Sequence, residues 1–150
     1  MTETVLFLCT GNYYRSRFAE HLFNHLASAH NLPWTADSRA LAVELGTNNI
    51  GPISPHTLTR LQALSIPLPA ELRYPQQVVE ADLNAAALTI ALDRTEHYPY
   101  VAERLPTWVD RIEYWEVADL HALDAKDALD RIEVAVQALI RRCISHSTGS

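Results

Sequence analysis

The first thirty residues constrain the fold most strongly, because they place a strand, a tight turn and a helix in immediate succession. Residues 5–8 form an apolar run, which is typical of a strand buried on both faces of a parallel sheet. A turn containing Gly11 and Asn12 follows, and from Ser16 apolar residues recur at three- and four-residue spacing. That spacing predicts an amphipathic helix. The segment is therefore predicted to form a β-α unit with a short connecting loop.

The alternation of strands and helices continues along the chain. The apolar patterns predict further strands at 34–38, 86–92 and 111–117, and further helices at 55–66, 80–84, 94–104 and 127–144. A loop at 44–55 and a frayed tail at 146–150 are also predicted. This order indicates an α/β fold with right-handed crossovers. A length of 150 residues fits one domain spanning 1–150.

A thiol and a guanidinium mark the two ends of the first turn. Cys9 ends the first strand, and Arg15 follows six residues later. Such a loop can direct several backbone N–H groups to one point, where the helix N-terminus adds positive potential. This field favours the nucleophilic thiolate of Cys9, and Arg15 offers planar donors suited to phosphate. We predict a nucleophile beneath an anion-binding loop; the alternatives are a small buried Cys9 and a solvated Arg15.

Polar residues at the ends of other predicted strands point to the same edge of the sheet. Ser38, Asp93 and Asp119 each fall at the carboxyl end of a predicted strand. In open α/β sheets, ligands bind at this edge. We therefore expect these side chains to lie near Cys9.

The composition excludes several classes of protein. A net charge of −6 argues against nucleic acid or an acidic membrane as the main partner. Cys9 and Cys143 lie near opposite ends of the chain, which disfavours a disulfide scaffold and favours a cytoplasmic location. The sequence has no metal-ligand spacing, signal peptide or membrane-spanning apolar run. The seven histidines are interpreted as surface or packing residues.

With these residues, the chain resembles the low-molecular-weight protein tyrosine phosphatases and the arsenate reductases that share their fold. The resemblance covers most of the chain, and its most specific part is the phosphate loop Cys9-Thr10-Gly11-Asn12 … Arg15-Ser16. Residues 34–38, 44–46, 90–93 and 115–119 are similar to the family's second strand, substrate-wall loop, third strand with its following acid, and general-acid segment. The resemblance implies a three-layer αβα domain whose four-stranded parallel sheet has the order 2-1-3-4.

The resemblance also implies a role for each site residue. Cys9 attacks phosphorus to form a phosphocysteine, and Asp119 protonates the leaving group and then activates water. The phosphate oxygens are held by the loop residues, which are Thr10, Gly11, Asn12, Tyr13, Tyr14, Arg15 and Ser16. Ser16 steadies the sulfur, Asn12 maintains the loop conformation, and Ser38 supports Asn12. Neither a metal nor a cofactor is implied.

Alternatives to the general acid and departures from the family pattern remain. Asp93, Asp110 and Asp124 are rival acids.

The family often has a second Cys before the Arg, a Pro after the Ser, and a Pro-Tyr-Tyr segment after the acid. This chain has Tyr14, Arg17 and Leu120-His121 at those positions, in that order. A disulfide beside the nucleophile is therefore impossible, phosphotyrosine preference stays open, and Tyr13, Tyr14 and Val43 are candidates to line the mouth of the site.

We therefore predict a cysteine-dependent phosphatase that acts on phosphotyrosine proteins or small aryl phosphates. Inorganic phosphate, sulfate and vanadate are the expected loop ligands. One alternative is a non-catalytic phosphate- or phosphoprotein-binding domain that retains the loop. The other is an arsenate reductase, which is disfavoured because Cys143, the remaining thiol, lies on the last predicted helix.

Overall fold

The computed structural model describes residues 2–120 and 123–148. The strands are β1 (Glu3–Cys9), β2 (Trp34–Ala40), β3 (Leu88–Ala91) and β4 (Glu113–Tyr114). The helices are α1 (Arg15–Ala29), α2 (Pro55–Ala63), α3 (Glu80–Ala85), α4 (Arg94–Arg104) and α5 (Ala125–Thr148), with short 3-10 turns at Val43–Gly46 and Pro106–Trp108. Strand and helix alternate as the sequence pattern predicts.

The four strands form one parallel sheet in the order β2-β1-β3-β4, which confirms the predicted topology. Strand β1 is central, since Val5 pairs with Ala36 on one side and with Leu88 on the other. Its last five residues are all buried. Burial on both faces explains why this strand is continuously apolar rather than alternating.

Helices cover both faces of the sheet and create two apolar cores. Phe7 and Cys9 point into the core that contains residues of α1 and α5, whereas Leu6 and Leu8 point into the core that contains residues of α3 and α4. This division follows from the period of two in a strand. It also places the side chain of Cys9 on the face of the sheet that α1 covers.

The last strand is shorter than predicted, and the last helix is longer. The strand predicted at 111–117 is reduced to β4, although the N–H groups of Trp115 and Val117 still donate to Ala91 and Leu92 in continuation of the ladder. The frayed tail predicted at 146–150 is wrong for residues 146–148, because α5 continues to Thr148. Residues 149–150 lie outside the described part of the chain.

No helix within 2–120 and 123–148 is long and apolar enough to cross a membrane.

Candidate active site

The loop between β1 and α1 is held in shape by Asn12. Its backbone has a φ of 53°, a left-handed conformation that Asn tolerates better than most residues. The Nδ2 of Asn12 donates to the Oγ atoms of Ser16 and Ser38, both at 2.9 Å. The structure therefore brings together the three residues for which a supporting role is predicted.

Cys9 lies at the base of a cleft although its own exposure is only 2%. Its Sγ is 3.0 Å from the Oγ of Ser16. The cleft has a volume of about 340 Å³ and is lined by Cys9, Gly11, Tyr13, Tyr14, Arg15, Asn49, Ser54, Asp119 and Leu120. The predicted nucleophile, phosphate clamp and general acid thus share one cavity.

Arg15 is a buried cation with fixed orientation. It is 2% exposed, its Nη1 donates to the carbonyl of Val117 at 2.8 Å, and its Nη2 donates to Glu96 at 2.6 Å. The carboxylate of Asp119 is 3.7 Å from the same Nη2. Burial disfavours the charged guanidinium, but the neighbouring Cys9, Glu96 and Asp119 outweigh it and raise the pKa of Arg15. The side chain therefore stays cationic.

Glu96 and His97 form a second layer behind Arg15. The Oε2 of Glu96 accepts from Arg15, from the hydroxyl of Thr10 and from the Nε2 of His97, the last at 3.1 Å. The Nδ1 of His97 accepts from the N–H of Asp93 at 3.0 Å. Burial raises the pKa of Glu96, but hydrogen bonds from His97 and Arg15 reverse this effect and hold that pKa well below its usual range.

His97 is a packing residue, which is one of the two interpretations of the histidines. Its side chain on α4 is completely buried and is also hydrogen-bonded on both ring nitrogens, which the sequence does not indicate. Sequence reasoning also missed Glu96. Nothing in its spacing signals a contact with Arg15, because the two residues are 81 positions apart in the chain.

Asn12 is fixed from its other side by the segment before α3. Its Oδ1 accepts from the Nη1 of Arg73 at 2.9 Å and from the N–H of Gln76 at 3.2 Å. Arg73 also donates to the carbonyl and hydroxyl of Ser38. These contacts orient the Asn12 amide, and they too join residues that are more than sixty positions apart.

Of the four candidate acids, Asp119 is the one that lines the cleft. Its Oδ1 accepts from the N–H of Leu120 at 2.8 Å, and its side chain is 39% exposed. Asp124 instead accepts from the N–H of Asp127 and caps α5. Asp93 is buried after β3, its N–H donates to the Nδ1 of His97, and it is not among the residues that line the cleft.

The mouth of the cleft differs from the expected arrangement. Tyr13 and Tyr14 line it, whereas Val43 and Gly46 border a second cleft of about 190 Å³ that shares Gly11 and Asn49 with the first. Val43 and Gly46 therefore line this neighbouring cleft and not the one that contains Cys9. Two contacts hold the segment: Arg104 donates to Glu44 at 2.7 Å, and the N–H of Val43 donates to Gln77.

Arg17, which stands where the family commonly has Pro, is buried. Its Nη1 donates to the carbonyls of Pro52 and Arg73 at 3.1 and 3.0 Å. Burial and the nearby Arg73 lower the pKa of Arg17 to about 10. This residue therefore connects α1 to two loops beside the site.

In the described part of the chain, no cluster of three or more His, Cys, Asp or Glu side chains is arranged to hold a metal ion.

Comparison with known proteins identifies a matching family. Residues 4–146 match the model of a family described as low molecular weight phosphotyrosine protein phosphatase. A search of curated proteins returned no match.

Solved structures show the same fold. The low molecular weight protein tyrosine phosphatase from T. tengcongensis is 23% identical, with a TM-score of 0.77 over 94% of this chain and 99% of that one. Wzb from Vibrio vulnificus, solved in complex with benzylphosphonate, is 17% identical, with a TM-score of 0.77 over 95% and 99% of the two chains. The YwlE arginine phosphatase from Geobacillus stearothermophilus is 19% identical, with a TM-score of 0.76 over 98% and 96%.

Proposed function

This chain belongs to the low molecular weight phosphotyrosine protein phosphatase family, and from that premise we propose that it hydrolyses aryl phosphate monoesters, including phosphotyrosine. The observation that carries the proposal is the shared cleft of Cys9, Arg15 and Asp119. A nucleophile, a cationic clamp and a carboxyl group are the three parts that phosphoryl transfer through a covalent intermediate requires.

In the first step, the Cys9 thiolate attacks phosphorus in line with the ester oxygen. An S–P bond forms while the P–O bond to the leaving group breaks. The carboxyl of Asp119 transfers its proton to the departing oxygen. Arg15 and the N–H groups of the loop hold the equatorial oxygens, over which negative charge spreads in the transition state.

In the second step, water attacks the phosphocysteine. Asp119, now a carboxylate, takes a proton from the water as the new P–O bond forms. The S–P bond breaks, inorganic phosphate leaves, and the electron pair returns to the sulfur. The hydroxyl of Ser16, 3.0 Å from Sγ, stabilises the sulfur as a leaving group.

The walls of the cleft support an aromatic leaving group. Tyr13, Tyr14 and Leu120 line it beside the loop, and aromatic rings favour such surroundings. Phosphoarginine is the competing substrate class, because some structural neighbours are arginine phosphatases. The free thiols of Cys9 and Cys143 fit a reducing compartment such as the cytoplasm.

Turnover of p-nitrophenyl phosphate, a phosphotyrosine peptide and a phosphoarginine peptide tests the proposal. We expect hydrolysis of the first two, inhibition by vanadate, and complete loss of turnover in Cys9→Ser. Cys143→Ser is the matched control, since this second buried thiol lies on α5, and we expect it to retain activity.

The other outcomes identify the alternatives. Preferential release of phosphate from phosphoarginine would replace the aryl substrate. Vanadate binding without hydrolysis of any ester would indicate a non-catalytic binding domain. Thiol-dependent reduction of arsenate would indicate a reductase. Full activity of Cys9→Ser would exclude the phosphocysteine mechanism.

A further inference from the structure

We propose that Glu96 is a positioning residue that holds the guanidinium of Arg15 in its phosphate-binding orientation, and that His97 holds Glu96. The inference rests on the proposed phosphatase function. It begins from the burial of Arg15, which is 2% exposed. A buried cation needs a compensating charge and satisfied hydrogen bonds.

Two contacts fix the plane of the guanidinium. Glu96 accepts from Nη2 at 2.6 Å, and the carbonyl of Val117 accepts from Nη1 at 2.8 Å. A guanidinium has five N–H donors, so these bonds leave three. Contacts on two different nitrogens prevent rotation of the group, and its remaining donors are thereby preorganised for the phosphate oxygens.

Glu96 is itself immobilised by two further donors. The hydroxyl of Thr10 and the Nε2 of His97 donate to the same Oε2 that binds Arg15. Because the Nδ1 of His97 accepts from the N–H of Asp93, the ring proton resides on Nε2 and is donated to Glu96. One carboxylate oxygen therefore connects α4 to the loop at both Thr10 and Arg15.

Glu96 acts through Arg15 rather than on the substrate. Among the described residues, the lining of the cleft includes Arg15 and Asp119 but not Glu96. Its own side chain is 22% exposed. Loss of Glu96 should therefore weaken stabilisation of the transition state, where the phosphoryl oxygens depend most on Arg15, and the effect should fall mainly on kcat.

Kinetics of Glu96→Gln with p-nitrophenyl phosphate provide the test. A hydrogen bond to a charged group contributes enough to predict a fall in kcat of about tenfold to hundredfold. Glu113→Gln is the matched control: Glu113 also accepts from an arginine, Arg142 at 3.0 Å, and from Trp115, but it lies on β4. We expect that variant to keep the wild-type kcat.

A double-mutant cycle separates positioning from simple stability. In an Arg15→Lys background, Glu96→Gln should lower kcat by less than about threefold. The reason is that lysine lacks the guanidinium group that Glu96 orients. An equal loss in both backgrounds, or a wild-type kcat for Glu96→Gln, would overturn the proposal. A wild-type protein without turnover would instead contradict the phosphatase function itself.

A second pair of variants applies if Glu96→Gln does not fold. His97→Gln can still donate to Glu96, whereas His97→Leu cannot. We expect His97→Leu to lose at least about tenfold in kcat and His97→Gln to recover most of that loss, with folding checked by circular dichroism. Equal kcat values for the two variants would contradict the proposed role.

Discussion

The Sγ of Cys9 lies 3.0 Å from the Oγ of Ser16, and the same hydroxyl accepts a hydrogen bond from the Nδ2 of Asn12 at 2.9 Å. The Asn12 amide occupies one lone pair of the Ser16 oxygen, and the Ser16 hydroxyl can donate its proton to the Cys9 thiolate. Asn12 in turn donates to Ser38. The Ser16 hydroxyl beside Cys9 is thus held by a chain of side chains that reaches β2.

Replacement of Ser16 by Ala should therefore slow the chemistry. We expect Ser16→Ala to lower kcat for p-nitrophenyl phosphate by about tenfold to hundredfold, because the sulfur loses the donor that stabilises its charge. Alkylation of Cys9 by iodoacetate should slow in parallel. Ser38→Ala, two hydrogen bonds further from the sulfur than Ser16, should cost less. A larger loss in Ser38→Ala than in Ser16→Ala would contradict this order.

Asp119→Asn should make the rate depend on the leaving group. The amide cannot supply a proton, so esters of weakly acidic alcohols should lose about 10²- to 10⁴-fold in kcat, whereas esters of acidic phenols should lose much less. A series of substituted phenyl phosphates measures this dependence. Asp124→Asn, whose side-chain oxygen can still accept from the N–H of Asp127 and cap α5, should leave it unchanged. A uniform loss across the series would place the acid elsewhere.

The local parts of the structure were accessible from the sequence. The apolar run of β1 and the helical spacing after Ser16 encode neighbouring elements, and their alternation fixes the layers of the fold. Ser16 and Asn12 lie in the same loop as Cys9, so their proximity follows from chain connectivity. Their chemical roles remain predictions.

The contacts between the loop and distant parts of the chain could not be predicted from the sequence. Glu96 on α4 and Arg73, in the segment before α3, contact Arg15 and Asn12, and His97 binds Glu96. The contacts with Arg15 and Asn12 depend on how distant elements pack rather than on any local pattern. The contact that holds Glu44 also comes from Arg104 on α4. Side-chain contacts across sixty or more residues carry no periodic signal.

Tyr14→Phe should stabilise the protein. The Tyr14 hydroxyl is buried and has no hydrogen-bond partner among the described residues, and burial raises the pKa of Tyr14 to about 12. Removal of an unsatisfied buried hydroxyl should increase the free energy of unfolding by about 1 kcal/mol, measured by urea denaturation.

Tyr13→Phe is the matched control for Tyr14→Phe. The Tyr13 hydroxyl donates to the carbonyl of Ile50 at 2.6 Å, so its removal should be neutral or destabilising. A loss of stability in Tyr14→Phe would mean that its hydroxyl has a partner, such as an ordered water.

His21 on α1 should make stability depend on pH. Its side chain is partly buried, its Nε2 has no hydrogen-bond partner among the described residues, and burial together with the cations of Arg17 and Arg73 lowers the pKa of His21 to about 4. In the unfolded chain this pKa is about 6.5. As the pH falls below 6.5, the unfolded state therefore binds the proton before the folded state does. The free energy of unfolding keeps its full contribution from neutral His21 above pH 6.5, and this contribution is lost as the pH falls to about 4.

Urea denaturation at pH 7.5 and pH 5.0 measures the contribution of His21. Protonation of His21 in the unfolded state should lower the free energy of unfolding at pH 5.0 by roughly 1 to 2 kcal/mol, a range that is reduced because the side chain is partly exposed. His21→Gln has no ring to protonate, so the decrease between the two pH values should shrink by that amount. His25→Gln, an exposed position on the same helix, should leave the decrease unchanged. Equal decreases in wild type and His21→Gln would show that His21 accepts its proton in the folded protein, which the surrounding arginines oppose.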